Sequence, residues 1–205
     1  MNTPEDELEK HEIKEYYPPK LPYENGDQAE IDKASKSNFS FVQIGEIINN
    51  LQPIQWLIKG YMEEHTLSEL FGDPASGKSF IAIDQACCIA TGTPYHYQDV
   101  RQGPVFYIAG EGHNGLGRRF AAWAEFNCMD LSNKPLYLSE KPAQLMDEKH
   151  AKEIAEAVQK LADYHDEKPA LIVIDTLARN FGGGDENSTE DMNLFVQNVD
   201  YIKDQ

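Results

Sequence analysis

A chain of 205 residues fits one domain with an appendage, and 40% apolar residues are enough for a sizeable core. Its 18 Lys and Arg against 35 Asp and Glu give a formal net charge of −17, which excludes a surface that coats nucleic acid by bulk phosphate attraction. A nucleic-acid role would need a local basic loop or a ring built from several copies, and the acidic excess reads first as solubility.

Residues 1–40 carry ten Asp or Glu and five Lys, several prolines and almost no periodic Val, Ile or Leu. Such a segment cannot bury enough apolar surface to offset its ordering entropy, so it reads as a mostly disordered acidic tail. Tyr16, Tyr17 and Tyr23 leave open an arm for a neighbouring subunit. No apolar run resembles a signal peptide. The longest purely aliphatic run, residues 171–174, is too short to span a membrane, so a cytoplasmic setting is expected. Cys87, Cys88 and Cys128 lack CxxC spacing, which argues against a disulfide framework or zinc site. The first two fall in an apolar helical stretch and read as core residues.

From residue 41 the pattern becomes periodic. Ile44, Ile47, Ile48 and Leu51 share one face of a short helix over 41–51, which Pro53 ends. Residues 54–58 read as a strand before a turn at Lys59 and Gly60. Strands then alternate with helices: strand 66–71, helix 79–91, strand 104–109, helix 115–127, strand 136–138, helix 149–164, strand 170–175 and helix 189–203. Apolar strands alternating with helices imply a parallel sheet covered on both faces.

Residues 72–79 read Gly72, Asp73, Pro74, Ala75, Ser76, Gly77, Lys78, Ser79, a full GxxxxGK[ST] match with an expected strand before it and a helix after it. Gly72 and Gly77 permit backbone conformations that a Cβ would forbid. The loop amides can then converge on phosphate oxygens, aided by the helix N-terminus. Lys78 supplies a point charge to the β- and γ-phosphates, and Ser79 a hydroxyl to Mg²⁺. The segment through Phe80 is thus the expected site for ATP with magnesium. Asp175, at the C-terminal end of its strand, faces the ligand crevice and is the candidate second metal-site acid. Hydrolysis also needs a group to polarise water. Thr176 follows Asp175, so no Glu stands there. Glu111, just beyond the strand at 104–109, is the candidate base.

This constellation resembles the RecA-like ATPases, and within them the RepA-type replicative helicases of plasmids and phages. The matching stretches are WLIKG at 56–60, LFGDPASGKSF at 70–80, VFYIAGEG at 105–112, RRFAAW at 118–123 and LIVIDTLARNFGGGDENS at 171–188. The resemblance implies a three-layer α/β/α phosphate-loop fold over 41–205 with a mostly parallel sheet. It implies Lys78 and Ser79 on phosphates and Mg²⁺, Glu111 activating water, and Asp175 as the second metal acid. It also implies single-stranded DNA as partner and a homo-oligomeric ring. Arg119 matches a frequent arginine of the group, as a salt bridge or a nucleotide contact. By the family pattern a strand with a γ-phosphate sensor and an arginine acting in trans would follow Gln205, so the sequence resembles the front part of a longer ATPase. A non-motor nucleotide switch, a recombination mediator or a fragment that binds without turnover is the alternative.

Four other features are ambiguous. Gly182, Gly183 and Gly184 open an acidic loop that reads either as a channel or subunit-interface loop or as a connection, with Asn187 or Ser188 capping the final helix and Asp191 near its start. Arg179 is the nearest basic candidate for a neighbour or DNA contact. His113 reads as an exposed loop residue or a general acid. Tyr95, His96 and Tyr97 read as a surface turn or a base-stacking group.

Overall fold

The computed structural model describes residues 41–110 and 112–205; the acidic tail at 1–40 and Glu111 lie outside the described residues. The chain divides into two units, Met1–Gln52 and Pro53–Gln205. In the first, helix α1 spans Ile44–Asn49, shorter than the expected 41–51.

In the second unit, β1 (Trp56–Ile58) turns through Gly60 into β2 (Met62–Glu63), forming an antiparallel pair. Helix α2 (Lys78–Thr91) is apolar almost all round and buries Ile83 and Ala86–Ala90, while its first turn stays at the surface. Strand β3 (Val105–Ala109) is buried throughout, as a central strand must be. Helix α3 spans His113–Phe126 and β4 Leu136–Leu138. Helix α4 (Glu148–His165) starts on Asp147, whose carboxylate accepts from the Lys149 amide, and buries Ala151, Ala155, Val158 and Ala162 along one stripe. Strand β5 (Leu171–Asp175) leads into a four-residue helix α5 (Leu177–Asn180) that the sequence did not suggest. Helix α6 (Thr189–Lys203) is capped by Ser188, whose hydroxyl accepts from the Asp191 amide at 3.3 Å.

The three strands form a parallel sheet in the order β4-β3-β5. Alternation along β3 divides the core. Val105, Tyr107 and Ala109 face α2 and α3, together with Leu171 and Val173 of β5. Ile108 faces α4 and α6, together with Ile172 and Ile174. Helices therefore cover both faces of this three-stranded sheet, in three layers. Among the described residues no helix is long and apolar enough to cross a membrane.

One expectation changes. Residues 66–71 form no strand; they run without a ladder, and Phe71 is 85% exposed. Thr-Leu-Ser-Glu-Leu-Phe has only modest strand preference, with Glu69 mildly disfavoured, and β5 pairs with β3 alone among the described strands. Strand β5 itself, the most apolar in the sequence, is only half-buried, because its other edge carries no described strand.

Candidate functional site

The loop at 72–77 runs straight into the first turn of α2. Gly77, the N-cap, has φ of +94° and Gly72 has φ of +154°, conformations L side chains rarely adopt. A Cβ on Gly72 would stand 3.1 Å from the Ser76 hydroxyl oxygen, inside the loop. Ala75 between them is also left-handed at +64°. The Ser76 amide closes a turn onto the Asp73 carbonyl at 3.2 Å. Left-handed residues among others, as at Ala75 and Gly77, are the backbone pattern from which anion-binding nests are built. Gly77 provides no side-chain cap, so no capping group occupies the first-turn amides of α2, the end of a helix that favours anions.

Lys78 curls back over this loop. Its Nζ donates to the Gly72 carbonyl at 2.7 Å and to the Asp73 carbonyl at 2.9 Å. The charge therefore sits at the loop mouth on exposed carbonyls, which a phosphate can replace. Ser79 is the second residue of α2. Phe80 follows it, largely exposed, with the Arg119 guanidinium 5.2 Å from its ring centroid.

Asp175 ends β5 on the sheet face that α2 covers, in register with Ala109. Two bonds from the end of β3 hold it. The Tyr107 hydroxyl donates to Oδ2 at 2.6 Å, and the Gly110 amide donates to the Asp175 carbonyl at 2.6 Å. The Asp175–Thr176 peptide bond is cis. Ser79 and Asp175 offer a hydroxyl and a carboxylate, hard oxygens that suit Mg²⁺ when phosphate oxygens and water complete the shell. The described residues hold no cluster of three or more His, Cys, Asp or Glu able to grip a metal unaided.

Glu111 lies outside the described residues, between Gly110 at the end of β3 and Gly112, the N-cap of α3. Gly110 is there for contact rather than conformation, since an added Cβ would stand 2.1 Å from the Arg179 Cβ. Arg179 thereby has a packing role. His113 is the first residue of α3, and its Nε2 donates to the Ser139 carbonyl at 2.6 Å, so it is tied to the end of β4. Tyr95 is buried against Tyr61 and His96 and belongs to the core, while Tyr97 is exposed.

The glycine-rich segment is anchored at both ends. Phe181 is buried and stacks on Phe195 at 5.2 Å, and the Asp185 amide donates to the Asp191 carboxylate at 2.8 Å. Before it, Asn180 is fully buried: its amide donates to the Thr176 carbonyl at 2.9 Å and its oxygen accepts from the Ala143 amide at 2.8 Å. Neither Tyr107 nor Asn180 was singled out from sequence. Strand periodicity puts Tyr107 on one face with Ala109, but the register that brings Asp175 to that face is not local to the strand.

Burial pushes the Cys87 and Cys88 thiols up to about 12, with neighbouring Cys88 and Asp84 charge adding for the first and Asp84 for the second. Both are core residues of α2, as expected.

A family model described as an AAA domain matches residues 33–205 of the chain. No curated protein matches it.

Proposed function

The chain belongs to the AAA domain family, and from that premise we propose that it is the ATP-hydrolysing part of a RepA-type replicative DNA helicase. Membership makes it a phosphate-loop, nucleotide-binding ATPase of a kind that generally uses ATP with Mg²⁺. The helicase role and the residue assignments are our reading. The observation that carries it is the glycine-hinged loop at 72–77 opening into α2, on the sheet face where Asp175 ends its strand.

In this reading the loop amides and Lys78 bind the β- and γ-phosphates, and Lys78 exchanges its carbonyl partners for phosphate oxygens. Ser79 and Asp175 hold Mg²⁺ or its waters. When bound there, Mg²⁺ would supply positive charge to offset the negative charge developing on the phosphate oxygens. Glu111 accepts a proton from water as the water oxygen bonds to the γ-phosphorus. The bond from that phosphorus to the bridging oxygen breaks, leaving ADP and phosphate. The motif wording at 105–112 and 171–188 supports the RepA-type assignment, and single-stranded DNA and a homo-oligomeric ring follow from it. The net charge of −17 favours the second reading, a nucleotide switch with no DNA track.

ATP turnover with and without single-stranded DNA separates the two, measured beside Lys78→Ala and Glu111→Gln. DNA-stimulated turnover that both substitutions abolish supports the motor. Tight ATP binding without turnover in the unsubstituted chain supports the switch. Normal hydrolysis by Glu111→Gln removes Glu111 from the mechanism.

A further inference from the structure

We propose that Tyr107 is a positioning residue for the metal-site carboxylate: its hydroxyl holds Oδ2 of Asp175 and leaves Oδ1 as the oxygen for a hard divalent cation. The inference rests on the reading of Asp175 as a metal-site acid.

Three observations carry it. The hydroxyl donates to Oδ2 at 2.6 Å, within the short range of hydroxyl–carboxylate bonds. Tyr107 is 1% exposed and Asp175 half-buried, so the bond is shielded on the tyrosine side and open toward the crevice on the carboxylate side. The ring is also aimed from the side, because Phe120 of α3 meets it edge-on, with centroids 5.6 Å apart and planes at 86°.

The register explains how a tyrosine two residues short of the strand end reaches this carboxylate. Tyr107 pairs with Val173, and Ala109 pairs with Asp175. Residues 107 and 109 project from the same face. Ala109 offers only a methyl group there, which leaves room for the longer ring to extend toward the carboxylate. The Gly110 amide meanwhile fixes the Asp175 backbone at 2.6 Å. The end of β3 thus orients both the main chain and the side chain of Asp175. Partners behind a ligating carboxylate fix its orientation, and their loss typically costs about 10–100-fold in metal affinity. A phenylalanine at 107 would fill the same core volume, so the hydroxyl is the part that packing alone does not require.

The test uses the full chain with a non-hydrolysable ATP analogue, titrating Mg²⁺ and reading analogue binding by fluorescence, with a parallel titration in EDTA. Tyr107→Phe is expected to raise the Mg²⁺ concentration for half-maximal tight binding about tenfold, with affinity in EDTA unchanged. Asp175→Asn should raise it further. If Tyr107→Phe melts lower but keeps the normal Mg²⁺ requirement while Asp175→Asn shifts it, the hydroxyl is only a satisfied core group and the inference is wrong. If Asp175→Asn also leaves the requirement unchanged, the reading of Asp175 fails and the inference falls with it. Should Tyr107→Phe not fold, Phe120→Leu serves instead. It removes the edge contact but keeps the hydroxyl, and a shift in the same direction is expected, with no shift counting against the inference.

Discussion

Gly110→Ala isolates one contact at the site. An alanine at most compatible positions stabilises a chain by about 0.4–1 kcal/mol, by restricting the unfolded state. Gly110 does not have a left-handed φ, so the backbone itself accepts alanine. The new methyl carbon, however, would stand 2.1 Å from the Arg179 Cβ and 3.2 Å from the Asn180 side-chain nitrogen. A Cβ cannot rotate away, so the end of β3 and helix α5 must separate by about 1.3 Å to reach ordinary contact at 3.4 Å. That movement also stretches the Gly110-to-Asp175 backbone bond, now 2.6 Å. Overpacking costs about 1–3 kcal/mol, and the weakened hydrogen bond about 1 kcal/mol more. After the unfolded-state gain is subtracted, the net is a loss of about 1–3.6 kcal/mol, which lowers the melting temperature by about 2–14 °C for a chain of this length. Because Glu111 is the next residue, a shift near 1 Å should reduce turnover about a hundredfold. Differential scanning calorimetry and an ATPase assay measure the two effects. A variant that melts within a degree of the parent, or higher, and turns over normally would refute the steric argument.

The remaining predictions concern the loop, the buried asparagine and the thiols. Lys78→Ala should weaken ATP binding at least about a hundredfold, as loss of a charge-assisted phosphate contact implies. Its nucleotide-free melting temperature should stay within about 2 °C, since the lysine now bonds only to exposed carbonyls. Asn180→Ala leaves the Ala143 amide and the Thr176 carbonyl without their side-chain partner, and should cost about 2–4 kcal/mol in urea unfolding. Iodoacetamide at pH 8 should label Cys128 in the native protein and reach Cys87 and Cys88 only after unfolding, because the buried pair titrates near 12. Those folded values exceed the ordinary 9.0, so the thiols' contribution to stability is complete below pH 9 and is lost between pH 9 and 12, as the unfolded chain deprotonates first. Stability should fall there by up to about 1.4 kcal/mol per pH unit for each thiol, and a Cys87→Ala, Cys88→Ala double variant should show a shallower decline.

The parts of the site visible in the sequence are those whose chemistry is local. The loop needs two glycines five residues apart and a lysine beside the second, so the eight residues at 72–79 carry their own signature. Asp175 is visible because a carboxylate closes an apolar run, and chain order puts it at the mouth of a parallel sheet. Helix α4 is legible for the same reason, its buried stripe being periodic within one segment. The failure at 66–71 is of the opposite kind. A strand is made by its neighbour, and six residues of modest strand preference cannot announce whether a neighbour is present. Tyr107 is hidden likewise, since its partner lies 68 residues further on and inside a strand a tyrosine looks like any other core aromatic.

That division has a physical consequence for how the site should respond to substitution. The loop at 72–77 is exposed and held by its own backbone, so changes there should alter nucleotide binding more than stability. The end of β3 is different. Within four residues it donates to the Asp175 carboxylate from Tyr107, donates to the Asp175 backbone from Gly110, and packs Gly110 on Arg179, and the chain then continues directly into Glu111. One buried strand end thereby orients the proposed metal-site acid, and the proposed base is the next residue in sequence. Substitutions at 107 and 110 share partners, so their effects should not add. Metal requirement, turnover and stability should move together there, whereas at Lys78 they should separate.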